Sequence, residues 1–173
     1  HSSQAVILGT TPPSIEEVVA VARGNAQIDI SSEALAAMAT SRAYVEQLAH
    51  QETPVYGIST GFGALANRHI PHEDRVQLQK SLIRSHAAGS GNEVEREVVR
   101  ATMFLRLKTL TSGHTGVRPE IAQTYAAILN AEITPVVYEF GSLGCSGDLA
   151  PLAHCALVAM GEGQARNALG ELV

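Results

Sequence analysis

The residues with the most unusual chemical potential are Gly144-Cys145-Ser146-Gly147-Asp148, a short polar run just ahead of an apolar stretch. Residues of these types commonly make a turn followed by a capped helix, and that is the plain reading. A serine between small residues before a helix also suggests a hydrolase nucleophile. The elbow pattern G-x-S-x-G, however, needs glycine at 148, where Asp148 stands, and no strand–turn–helix order surrounds the run. The same residues permit a backbone reaction instead. Gly147 has no Cβ, so its amide nitrogen can fold back toward the Cys145 carbonyl carbon at little steric cost. Ser146, caught in the ring so formed, can lose its hydroxyl together with its α-proton. The product carries an exocyclic methylidene group, an electrophile that no ordinary side chain provides. A helix N-terminus beside it would stabilise the negative charge that builds on the ring under attack.

A second glycine-rich stretch surrounds Tyr56. Its segment from Gly61 to Ala66 fits the dinucleotide pattern G-x-G-x-x-G/A, but no strand precedes it and no helix opens at it, so the pattern carries little. Taken alone, Tyr56 reads as a half-buried loop tyrosine. His86 near a helix end reads as a structural histidine. His69, His72 and Glu73 resemble part of a metal site but lack a further ligand at suitable spacing, so no metal is expected. Cys145 and Cys155 stand ten apart, which suits neither a zinc site nor a disulfide framework, and both are expected to be reduced.

The run from Gly141 to His154 (GSLGCSGDLAPLAH) resembles the signature of the aromatic amino acid ammonia-lyases and aminomutases. The likeness extends to Val55–Leu65 (VYGISTGFGAL), Leu82–Gly89 (LIRSHAAG) and Gly116–Glu120 (GVRPE), and so covers nearly the whole chain from about residue 5. Cys145 is a less common first member of the triplet than alanine, and Ser59 stands where asparagine is frequent. The resemblance implies that Cys145-Ser146-Gly147 cyclises to 4-methylidene-imidazole-5-one, with no external cofactor. It implies Tyr56 as the base that takes the substrate's β-proton, which a phenol of ordinary pKa near 10 does only where the site lowers that value. Gly63 is implied as a substrate-binding neighbour. In this family the pair at 85–86 helps select the substrate ring, and Ser85-His86 is similar to the histidine-selective members. The expected reaction is therefore L-histidine to trans-urocanate and ammonia, with tyrosine-selective lyases or aminomutases as the alternative and a non-catalytic folded chain as another. Family members are homotetramers acting on small aromatic amino acids, and their architecture is the fumarase/aspartase-like helical fold.

The elements that must position these residues can be read from local signals. Val6-Ile7-Leu8 is a short extended run, and Ser14 with Glu17 forms a capping box opening a helix to about Arg23. Ile28 and Ile30 mark a strand, and Ser32 is expected to cap a helix to about His50. Residues 51–72 lack a helical period and are expected to be a long loop. Helices are expected over Glu73–Ala88, with Leu78, Leu82 and Ser85 as the recurring stripe, and over Glu93–Leu110, with Val99, Met103, Leu107 and Leu110. Another begins at Pro119, with Ile121, Tyr125, Ile128 and Leu129 buried and Asn130 at its end. Ile133–Tyr138 is β-like. Asp148 is expected to cap a last helix carrying Pro151 in its first turn and Leu149, Leu152, Ala156, Leu157 and Met160 on its inner side.

The fold class expected is mainly α with a few short strands, read as one domain over 1–173, the N-terminal part that bears the ring-forming loop. Composition agrees: 45% apolar and 17% charged residues describe an ordinary globular chain, and only 4% are aromatic, so helix-favouring aliphatics dominate. A net charge of −5 without a Lys/Arg cluster argues against nucleic acid or an anionic membrane as partner. No apolar run is long enough to span a bilayer and no secretory signal opens the chain, so a cytoplasmic location is expected. No closing element is evident after Gly163, which reads as a fragment lacking a central bundle and C-terminal region. Such a fragment is expected to be catalytically silent with its triplet wholly or partly uncyclised, since backbone strain persists only where surrounding structure imposes it.

Overall fold

The computed structural model describes residues 5–142 and 149–173. Among them are six α-helices and six short strands, the strands joined in three two-stranded pairs. The mainly helical character expected from the sequence holds.

The chain opens with β1 (Val6–Leu8), which pairs in parallel with β2 (Ile28–Ile30), Val6 opposite Ile28 and Leu8 opposite Ile30. Alternation sends Val6 and Leu8 into the core and Ile7 to solvent. Between them runs α1 (Ile15–Gly24), whose start has both halves of the capping box: Ser14 Oγ accepts from the Glu17 amide at 3.2 Å and Glu17 Oε2 from the Ser14 amide at 2.7 Å. Asn25 ends it in the left-handed conformation. Helix α2 (Ser32–Ala49) is capped by Ser31 rather than Ser32, because Ser31 is the residue still extended as β2 ends, and its Oγ accepts from the Ala34 amide.

After the loop over residues 50–71 come α3 (His72–His86), β3 (Ser90–Glu93), α4 (Arg96–Thr111) and α5 (Pro119–Asn130). Two short strands follow, β4 (Thr134–Pro135) and β5 (Tyr138–Phe140), then α6 (Leu149–Ala159) and β6 (Ala165–Arg166). The core is centred on α4, where Val99, Met103, Phe104, Leu107 and Leu110 pack against Val21, Ile28, Met38, Ala122 and Leu129 from its neighbours. Asn130 ties the end of α5 to β2, its amide side chain bonding both the N–H and the C=O of Ile28.

Four expectations need correction. Helix α4 starts at Arg96, not Glu93, because Ser90–Glu93 pairs antiparallel with β5, with a register irregularity between Ser90 and Glu93. The β-like run Ile133–Tyr138 is split between two partners, β4 bonding β6 and β5 bonding β3. The helix expected over 73–88 is present as α3, although none of its residues is fully buried. The inner side of α6 consists of Ala150, Ala153 and Cys155, with Leu149 47% exposed; in α5, Ala122 and Ala126 take the inner face with Tyr125 and Leu129, while Ile121 is 44% exposed. In α6 the small residues take the inner side and Leu149 is turned outward, whereas α5 buries small and large residues together. The residues after Gly163 do form an element: β6 pairs with β4, and Ala165 and Val173 exchange backbone hydrogen bonds of 3.1 and 2.8 Å. No helix among the described residues is long and apolar enough to cross a membrane.

Candidate active site

Tyr56 lies in the loop between α2 and α3, which is held by its own polar side chains. Ser59, fully buried, accepts from the Val55 amide through Oγ at 2.9 Å, and Thr60 accepts from the Gly57 amide at 3.2 Å. The Ser59 carbonyl accepts from the Ile70 amide and the Gly61 amide donates to Arg68, so the loop folds back on itself as a narrow antiparallel bend. Arg75 closes its base by donating to the carbonyls of Ala49 and Ile70. The ring of Tyr56 is 62% exposed, more open than a half-buried loop tyrosine, and stands edge-on to Phe62 at 5.8 Å. Its hydroxyl oxygen accepts a long hydrogen bond, 3.4 Å, from the Gly63 amide.

Ser85 and His86 are the last two residues of α3. Ser85 Oγ donates to the Leu82 carbonyl at 2.8 Å, and His86 Nδ1 lies 2.8 Å from the same oxygen. A carbonyl oxygen only accepts, so Nδ1 must carry the proton, and in the neutral ring Nε2 is left as an acceptor. Ser85 Oγ is also 3.0 Å from Nδ1, which fixes the imidazole from its own helix. The adjacent Arg84 holds both carboxylate oxygens of Glu162, at 2.9 and 2.6 Å, and ties the last turn of α3 to the segment after α6. That guanidinium holds the Glu162 carboxyl below the usual carboxylate range, mainly through the hydrogen bond.

The structure thus brings Tyr56 to Gly63 and Ser85 to His86, and among the described residues no hydrogen bond joins the two pairs. Cys145, Ser146 and Gly147 lie outside the described residues, as does the expected cap Asp148. The segments flanking them in the chain meet the exit from α3. A Cβ on Gly141 would meet the Ala150 Cβ at 2.9 Å and the Gly89 Cα at 3.4 Å, so both glycines are used for close approach. Gly89 donates its amide to His154 Nε2 at 3.1 Å, and the His154 ring packs edge-on to Tyr138. Burial lowers the His154 pKa, in keeping with an acceptor nitrogen that must be unprotonated.

His154, Arg84 and Glu162 went unmarked in the sequence. His154 stood inside a motif run, but a lone histidine on an apolar helix gives no hint of a partner 65 residues away. A cavity of about 370 Å³ lies between α4, β5 and the start of α6, with Val98, Val137, Tyr138, Pro151 and Leu152 in its lining; Tyr56, Gly63, Ser85 and His86 are not among the lining residues. Among the described residues no three His, Cys, Asp or Glu side chains are grouped to hold a metal ion, and His72 instead stacks on His50.

Comparison with known proteins points in one direction. Histidine ammonia-lyase of Streptomyces avermitilis is 65% identical over 162 residues, which are 94% of this chain and 32% of that protein; the Streptomyces griseus enzyme is 64% identical with the same coverage. The chain thus spans about a third of the length of the curated relatives it matches. Among solved structures, tyrosine aminomutase from Streptomyces globisporus superposes with a TM-score of 0.90 at 38% identity, over 98% of this chain and 32% of that one. Histidine ammonia-lyase from Trypanosoma cruzi does so with a TM-score of 0.87 at 34% identity and the same coverage. The family model for aromatic amino acid lyase matches residues 14–173, nearly everything described above, and the chain belongs to that family.

Proposed function

We propose that this chain carries the ring-forming triplet, the base and the substrate-selecting pair of a histidine ammonia-lyase, acting in a protein of the relatives' length. The reaction is the non-oxidative deamination of L-histidine to trans-urocanate and ammonia, in the cytoplasm and in a homotetramer. The observation that carries this reading is the packing of two motif runs on each other: Gly89 closes the run holding Ser85-His86, and it bonds His154 in the run that holds Cys145-Ser146-Gly147. The 65% identity to a Streptomyces histidine ammonia-lyase supports the substrate.

The family depends on 4-methylidene-imidazole-5-one, and the triplet has the chemistry to form it: a glycine amide free of Cβ hindrance as the closing nucleophile and a serine that can lose water. The ring supplies an electrophilic methylidene carbon, with no external cofactor or metal. The other tasks fall to side chains of this chain. His86, its proton held on Nδ1 by the Leu82 carbonyl, offers Nε2 to the N–H of the substrate imidazole. Ser85 keeps that ring in place. Tyr56 takes the proton from the substrate β-carbon, the Gly63 amide supporting the charge on its oxygen, while the Cα–N bond breaks and the Cα=Cβ bond forms.

A tyrosine aminomutase is the second reading, favoured by the TM-score of 0.90 to such an enzyme. The two are separated by replacing the aligned third of the Streptomyces avermitilis enzyme with this chain and analysing products from L-histidine and L-tyrosine. Urocanate and ammonia are expected from L-histidine. A β-amino acid from L-tyrosine would assign the mutase, and no product from either would remove both.

A further inference from the structure

We infer that His154 is a positioning residue, holding the Ser85-His86 end of α3 against β5 and α6, the elements that flank Cys145-Ser146-Gly147 in the chain. The inference rests on the site reading above and adds a residue to it.

Three contacts converge on one junction. The Gly89 amide donates to His154 Nε2 at 3.1 Å; the Tyr138 ring, on β5 just before Gly141, meets the His154 ring edge-on at 5.5 Å; and Gly89 and Gly141 approach so closely that a Cβ on Gly141 would lie 3.4 Å from the Gly89 Cα. His154 sits on α6, which begins immediately after the triplet segment. The imidazole therefore ties three pieces of chain: the exit from α3, the strand leading into the triplet segment and the helix leading out of it. Only Ala87 and Ala88 separate His86 from Gly89, so the Gly89 amide lies close in the chain to the selecting pair. Arg84 and Glu162 restrain the same helix end through a partly exposed bidentate ion pair, which is open to screening by salt. The hydrogen bond from Gly89 is half-buried and is received by a flat ring packed edge-on against Tyr138, so it defines direction as well as distance. Burial also favours the neutral imidazole that can accept it.

The test uses the same Streptomyces avermitilis chimera with His154→Leu, which removes the acceptor, and His154→Gln, which keeps one. Gly89→Ala presses on the junction from the other side, since its Cβ would meet His154 Nε2 and the Tyr138 Cβ at 3.1 Å. Intact mass counts the ring-bearing subunits, so kinetic constants are expressed per ring. The leucine variant is expected to lose about tenfold or more in the ratio of kcat/KM for L-histidine to that for L-tyrosine, as small misplacements cost rate steeply. The glutamine variant should recover most of that ratio, and Gly89→Ala should resemble leucine. Amide hydrogen exchange at Gly89 should be fast in leucine and protected in glutamine. A purely structural role would lower the ring-bearing fraction while leaving the ratio per ring unchanged, and that result overturns the proposal. A parent chimera that converts neither amino acid overturns the site reading itself, and leaves His154 nothing to position.

Discussion

Arg100 donates from Nη1 to the carbonyl oxygen of Leu129 at 3.0 Å, from a residue with 0% exposure. Its Nε donates to the Val21 carbonyl, also at 3.0 Å, so one cation serves the C-terminal ends of α5 and α1, where the helix dipoles are negative. Burial pulls its pKa down to about 10, with Arg96 adding to the effect and Glu132 opposing it, and the group stays charged at neutral pH. Replacing it with methionine keeps most of the volume but removes one donor from each of two buried carbonyls, Leu129 retaining the Glu132 amide, at a cost of roughly 1–3 kcal/mol. Arg100→Ala adds a cavity and is expected to cost more. Urea unfolding of this chain measures both, and unchanged midpoints would show that the carbonyls need no cation.

Cys155 is 1% exposed, and burial pushes its thiol up to about 12. The thiolate is the reactive form, so at pH 8 both access and ionisation protect it. Peptide mapping after alkylation is expected to find Cys155 unmodified in the native chain and modified in urea. Equal labelling in the two conditions would contradict the packing of α6.

His154 makes stability depend on pH in a defined direction. Its folded pKa lies below the unfolded value, so between the two the unfolded chain binds more protons. Its contribution is fully present above the ordinary imidazole value of about 6.5 and is lost as pH falls toward the folded value. Unfolding midpoints at about pH 8 and about pH 5.5 should therefore fall further apart in the wild type than in His154→Gln. Identical differences would show that the ring is not held neutral.

Signals that were local in the chain could be read before the structure was known. Ser14 and Glu17 specify the start of α1 because a capping box closes within four residues, and Pro119 marks α5 for a similar reason. The glycines between 57 and 63 announced a loop. What failed depended on distant partners. Glu93 looked like a helix start because nothing near it shows that Tyr138 lies opposite. The face of α6 was misjudged because nearly every residue from Leu149 to Ala159 is apolar, which leaves no contrast to point inward. Arg100 sat within a helical period, yet only packing shows that two helix ends need its charge. For the proposed site, Tyr56 and the 85–86 pair were singled out through motif runs, whereas the Gly89–His154 contact joins two such runs and belongs to neither.

Tyr56→Phe removes the proposed proton acceptor while keeping the ring against Phe62. In the chimeric enzyme kcat is expected to fall by about a hundredfold or more with little change in KM, since the lost group acts in the transition state. Retention of most of the kcat would assign the base elsewhere.

The central claim is that Cys145-Ser146-Gly147 becomes the electrophile, and intact mass spectrometry tests it without any substrate. In a protein of the relatives' length carrying this sequence, ring closure with loss of two waters should leave each subunit lighter than its encoded mass by about 36 Da, and Ser146→Ala should restore a mass with no dehydration and abolish ammonia release. An active protein at its full encoded mass, or a Ser146→Ala variant that still releases ammonia from L-histidine, would contradict the account.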